Sequence, residues 1–173
     1  MSDFLKKIIF RWKKPCFVII KGIDFSLYFE LASVIFRKSA LKIRKIDNGK
    51  IPLFIKRGET LFFKKEPMEL NYLAEYFVIE ENCVKIVKNK TPEVLISFGL
   101  KEGVDLFVSD INTSPKETNF KVNYQGYIIP FWLAPSLDEQ KIKTILAAIC
   151  FGVIKGVNLV EISQALRGFE ILN

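Results

Sequence analysis

VIIKGIDFSLYFEL (Val18 to Leu31) is the stretch on which the fold turns. The apolar run Phe17 to Ile20 follows Pro15 and lacks polar alternation, the pattern of a strand buried on both faces of a parallel sheet. Gly22 then permits a tight turn, and Asp24 or Ser26 can cap the helix that follows. Phe25, Tyr28, Phe29, Ala32, Ile35 and Phe36 give that helix one apolar face. Strand, glycine turn and helix in this order make a ligand-binding position in α/β proteins.

Outward from this unit the pattern continues. Leu41 to Ile46 alternates as a second strand, and Asp47-Asn48-Gly49 signals a turn. Ile51 to Ile55 and Thr60 to Phe63 read as two short strands around Arg57-Gly58. Pro67 opens a helix over Met68 to Glu75. Phe77 to Ile79 is a short strand, and Asn82 caps a helix over Cys83 to Lys90 that Thr91-Pro92 ends. Val94 to Phe98 is again a strand. Leu106 to Ile111, Phe120 to Tyr124 and Tyr127 to Phe131 form an antiparallel set with Gln125-Gly126 as its last tight turn. Two helices close the chain. Ser136 to Glu139 is a capping box before the first, which Gly156 ends; Asn158 to Glu161 is a similar arrangement before the second, which Gly168 ends.

Composition narrows the function. Half of the 173 residues are hydrophobic and 16 are Phe, enough for a packed core. The chain has no His, which removes His-based zinc sites and Ser-His or Cys-His catalysis. Cys16, Cys83 and Cys150 are dispersed and read as reduced, mostly buried thiols, so no metal site is expected. No apolar run spans a bilayer and Met1 to Lys14 lacks a signal-peptide core, so the expected location is the cytoplasm. The net charge is +7, with the excess early: Lys6, Lys7, Arg11, Lys13 and Lys14, then Arg37, Lys38, Lys42, Arg44 and Lys45. Residues 1–14 form a basic amphipathic segment, with Phe4, Leu5, Ile8, Ile9 and Trp12 at helical spacing. It reads either as a helix packing on its own domain or as an anchor on the inner face of a membrane through Lys6, Lys7, Arg11, Trp12, Lys13 and Lys14. Residues 15–173 form one domain.

Three short words carry a resemblance: Phe98-Gly99-Leu100, Ser109-Asp110-Ile111 and Leu146-Ala147-Ala148-Ile149 with a following Gly. With the order of elements from Phe77 to Phe169, they resemble the ATP-binding central domain of the Mur ligases. The branch most resembled adds D-Ala-D-Ala to the peptidoglycan precursor. Pro15 to Ser39 aligns less strongly, through Ile20, Gly22 and Glu30. The resemblance implies an α/β fold, shortened: a mostly parallel sheet flanked by helices, with an added antiparallel strand set. It also implies a Gly-Lys-Thr phosphate loop, and Phe25, Ser26 and Leu27 stand there instead. Such a loop wraps phosphate in glycine amides, neutralises it with Lys and holds Mg²⁺ by a hydroxyl. Glu80-Glu81-Asn82 replaces an Asn-x-Asp-Asp-like turn, and Gln140, Lys141 and Thr144 replace a His-Asn…Asn pattern beside the nucleotide. Between Ile46 and Phe77 the family's metal-binding Glu and His and its modified Lys have no room. The family's amino-acid-binding domain would follow Asn173.

The expected function is therefore a non-catalytic Mur-ligase-like domain, binding or assembling with a partner in peptidoglycan precursor synthesis. No cofactor is expected. Exposed sheet edges favour self-association, with a homodimer as the simplest form. A second reading keeps a rebuilt anion site for a nucleotide or UDP-sugar. It would use Lys21, Gly22, Asp24 and Ser26, the turn Glu80, Glu81 and Asn82, and Lys141 and Thr144; Mg-ATP is the group it would admit. The plainer roles of those residues are helix caps and a solvated turn. A third reading is a basic adaptor at a membrane surface, with nucleic acid disfavoured because no binding signature for it is present.

Overall fold

The computed structural model describes residues 15–37, 41–48, 50–52, 54–65, 67, 76–80, 82–88, 91–134 and 136–170. The amphipathic segment 1–14 with its six candidate surface residues, the helix expected over 68–75, Gly49 of the expected turn, and Glu81 lie outside the described residues.

Nine strands and three helices are described: β1 (Cys16–Ile20), α1 (Phe25–Ile35), β2 (Lys42–Ile46), β3 (Glu59–Phe63), β4 (Tyr76–Glu80), β5 (Cys83–Lys88), β6 (Thr91–Gly99), β7 (Leu106–Thr113), β8 (Thr118–Tyr124), β9 (Tyr127–Leu133), α2 (Glu139–Ile154) and α3 (Leu159–Leu166). The strands form one sheet in the order β2-β3-β1-β4-β5-β6-β7-β8-β9. β2, β3, β1 and β4 run parallel, and β4-β5-β6 and β7-β8-β9 are antiparallel. A short parallel pairing of Phe98 and Gly99 with Leu106 and Phe107 joins the two halves. Asp105 closes the loop between them by accepting from the Ser97 amide (2.7 Å) and hydroxyl (2.6 Å). The mixed α/β sheet, parallel with antiparallel additions, is the one expected.

Period-2 alternation explains both faces of the parallel half. Val18, Ile20, Phe62, Phe77 and Ile79 point into the main core with the helices. Phe17, Ile19, Leu61, Phe63 and Val78 point into a second core on the opposite face. The registers Val18↔Phe62 and Val18↔Phe77 put like-facing residues side by side. Continuous apolar strands are what burial on both faces requires. Phe36, Phe62 and Phe77 meet the fully buried Phe151 of α2 edge-on, at ring separations of 5.7, 5.8 and 5.4 Å, the geometry that ring quadrupoles favour.

Three expectations are corrected. Cys83 to Lys88 is strand β5, not a helix. Val84 belongs to the main core and Val87 to the second, with a register shift at Ile86/Val87. Burial on both faces gave the run a three-residue apolar spacing that mimics a helix, while its β-branched residues suit a strand. Ile51, Pro52 and Phe54 to Ile55 form no strand; Ile55 is buried from an irregular segment. The cap of α2 is Asp138, whose carboxylate accepts from the Lys141 amide at 2.7 Å, and Ser136 is not the capping residue.

Other local expectations hold. Gln125 and Gly126 both have positive φ (49° and 81°), as a primed hairpin turn needs. α2 ends with Val157 N–H donating to the Gly152 carbonyl (3.0 Å) and Gly156 N–H to Val153 (2.9 Å), a Schellman closure with Gly156 at φ 86°. Asn158 caps α3 through the Glu161 amide (2.9 Å).

Candidate functional site

β1 has β3 on one side and β4 on the other, so the chain changes direction across the sheet at its carboxyl end. In open parallel sheets that switch point is where ligands bind. Lys21 continues the β1–β4 pairing, its amide donating to the Ile79 carbonyl at 2.8 Å. Gly22 follows at φ 73°, a left-handed conformation that glycine adopts without a side-chain clash.

Asp24 is the N-cap of α1. Its carboxylate accepts from the amides of Ser26 (2.9 Å) and Leu27 (3.1 Å). Those first-turn N–H groups are the ones a phosphate would use, and here a carboxylate of the chain holds them. Phe25 is buried and forms part of the main core, as does Leu27. The Ser26 hydroxyl accepts from Lys45 Nζ at 3.3 Å, and the same ammonium lies 5.3 Å from the Phe25 ring centre and 3.9 Å from Asp47. Gln140 at the start of α2 donates to the Gly22 carbonyl at 3.4 Å.

The neighbouring β4–β5 hairpin supplies Glu80. Lys85 Nζ donates to its carboxylate, and Cys83 Sγ does so weakly at 3.8 Å. The Lys85 hydrogen bond is the main cause that holds the Glu80 carboxyl below its ordinary range; burial opposes it, and the charges of Lys85 and Lys21 add to it. A lowered folded pKa means that this pair stabilises the fold above the ordinary glutamate value of about 4.3 and ceases to do so as pH falls through the folded value. Glu80→Gln is expected to flatten the acid limb of stability between pH about 5 and 3. Urea unfolding of both proteins across that range checks it, and identical acid limbs would contradict it.

The structure thus brings together Lys21, Gly22, Asp24, Ser26 and Glu80. Asn82 sits on the hairpin turn, where its carbonyl accepts from Phe98 N–H at 2.8 Å. Thr144 does not join the site: it is fully buried, and its hydroxyl donates to the Gln140 carbonyl one turn back (3.0 Å). The Lys141 amide serves the cap of α2. Gln140, which the resemblance places beside the nucleotide, reaches Gly22, and Lys45 is a further contributor that no motif singles out. Lys45 was legible as the penultimate residue of a parallel strand, the end that faces the crevice. Among the described residues no cluster of His, Cys, Asp or Glu could hold a metal, and no helix is long and apolar enough to cross a membrane. Among the described residues, open clefts also lie elsewhere. One of about 390 Å³ is floored by Phe120 and Phe131; one of about 680 Å³ lies between Tyr124 and Tyr127 of the β8–β9 hairpin and Leu159 and Val160 of α3.

Comparison with known proteins shows what this scaffold is similar to. A crystal structure of MurF from Acinetobacter baumannii superposes with a TM-score of 0.62 at 15% identity, covering 88% of this chain and 45% of that one. A structure of UDP-N-acetylmuramoyl-L-alanyl-D-glutamate–2,6-diaminopimelate ligase gives 0.62 at 9% identity, covering 95% and 49%. In sequence, UDP-N-acetylmuramate–L-alanine ligase of Streptococcus pyogenes serotype M5 (strain Manfredo) is 24% identical over 86 residues, which is 50% of this chain and 20% of that protein. The chain spans about a fifth of the length of the curated relatives it matches. No protein-family model matches it. The fold is that of the Mur ligases, with weak sequence similarity to them. The names belong to different ligases, so they do not single out a branch.

Proposed function

We propose that this Mur-ligase-like domain works by binding rather than by ligation, as an assembly factor in peptidoglycan precursor synthesis. One observation carries the reading: the Asp24 carboxylate takes the first-turn amides of α1 where a phosphate would sit. An incoming phosphate would have to displace that carboxylate and would be repelled by it. Ser26 supplies no positive charge and the buried Leu27 no metal-binding hydroxyl, the two features on which phosphoryl transfer depends.

Thermal unfolding with Mg-ATP, ADP and UDP-sugars tests this. A ligand at a hundred times its Kd stabilises by about 2.7 kcal/mol, a Tm rise of roughly 5–10 °C for a chain of this size. No shift is expected. A saturable rise with any of them would contradict the reading and favour a rebuilt anion site around Lys21 and Lys45.

A binding role needs a surface, and β9 offers one. It is the last strand of the sheet, and it exposes Tyr127 (66%), Ile128 (59%) and Trp132 (44%). Exposed apolar edges invite pairing with a second chain. Sedimentation velocity over a broad concentration range is expected to show a dimer that Trp132→Lys weakens at least tenfold. A monomer throughout would contradict it.

A further inference from the structure

The three thiols occupy unlike surroundings. Cys150 is 1% exposed, and burial pushes its pKa up to about 12. Cys83 faces the Glu80 carboxylate, and burial raises its pKa as well. Cys16 is half-buried and meets a cation: Lys155 Nζ donates to its sulfur at 3.2 Å. A neighbouring ammonium favours the thiolate, the reactive form.

Both partners are held in place. Cys16 opens β1 in register with Thr60 of β3. Lys155 is the C-cap of α2, its amide bonded to the Phe151 carbonyl at 3.0 Å. Its ammonium sits 4.1 Å from the Phe77 ring centre and 5.6 Å from that of Phe151, contacts that attract a cation and fix its direction. Sulfur and nitrogen are therefore separated by little more than the width of one bridging atom.

We propose that Cys16 and Lys155 form a reversible covalent redox link, sulfur–oxygen–nitrogen, with hydrogen peroxide as oxidant. In the first step the thiolate attacks one peroxide oxygen and the O–O bond breaks. Sulfenic acid forms and the departing hydroxide is protonated to water. In the second step the Lys155 ammonium releases one proton to water, and its nitrogen is joined to the sulfenic oxygen. A second peroxide takes the two electrons and two hydrogens released, one from O–H and one from N–H, and becomes two waters. Of four peroxide oxygens, one stays in the bridge and three leave as water. Sulfur and nitrogen are each oxidised by two electrons. The link ties the start of β1 to the end of α2, 139 residues apart. It thereby restricts the unfolded chain as a long-loop cross-link does.

Peroxide titration with peptide mass mapping tests this on the full chain. The expected product joins the Cys16 and Lys155 peptides with a mass one oxygen greater and two hydrogens smaller than their sum. A thiol reductant reverses it, and the Tm of the linked protein is raised. Lys155→Arg keeps the charge but forms no such link, and Cys16→Ser abolishes it. Oxidation of Cys16 to sulfinic acid without a joined peptide would overturn the proposal, as would consumption of peroxide by Cys83 ahead of Cys16.

Discussion

Phe151→Ala is expected to lower stability by about 3–5 kcal/mol, the range for removing a buried aromatic ring. The side chain is fully buried on α2 and touches rings from three other segments: Phe36 after α1, Phe62 on β3 and Phe77 on β4. Three of its neighbours would face a void at once, and two of them sit in strands whose backbones are fixed by parallel pairing. Collapse into the space is thus restricted, which places the cost toward the upper end. Urea unfolding should show a midpoint shift with an unchanged slope. A loss under about 1 kcal/mol would mean that α2 is not packed on the sheet as described.

The second large effect is at an ion pair. Glu59, on β3, is 4% exposed. Arg44 of β2 grips it with Nε to Oε1 at 2.8 Å and Nη2 to Oε2 at 2.9 Å, and the Lys56 amide adds a third donor at 2.8 Å. Arg44 also reaches the Phe54 carbonyl at 3.1 Å. Replacing Arg44 by Met leaves a buried carboxylate with one backbone donor, and breaking such a pair costs about 3–5 kcal/mol. The guanidinium side chain is 34% exposed, so water can reach the site and the lower end of that range is expected. Arg44→Met with Glu59→Leu should recover most of the loss, because it is the orphaned charge that is costly. A double-mutant cycle checks both statements; a neutral Arg44→Met would contradict them.

What the sequence shows and hides follows from the range of each interaction. Phe17 to Ile20, Gly22 and the helix from Phe25 were legible because apolar runs, a turn glycine and a cap act within a few residues. The Gln125-Gly126 turn was legible for the same reason. Cys83 to Lys88 imitates a helix because the two faces of β5 belong to different cores, and no local pattern reveals which face a residue serves. The grip of Arg44 on Glu59 joins strands across an irregular loop, and the reach of Gln140 to Gly22 spans 118 positions; neither has a local signature. At the site, the absence of a Gly-Lys-Thr loop could be read directly. That Asp24 itself holds the first-turn amides of α1 could not, since Asp24 and Ser26 serve equally well as caps in the sequence.

The most direct test of the proposed binding role is calorimetric titration of the full chain with Mg-ATP and with ADP at low salt, where electrostatic attraction is strongest. No binding heat is expected at tens of micromolar protein. Saturable micromolar binding, lost on replacing Lys21 and Ser26, would contradict it and restore the crevice at the end of β1 as a working nucleotide site.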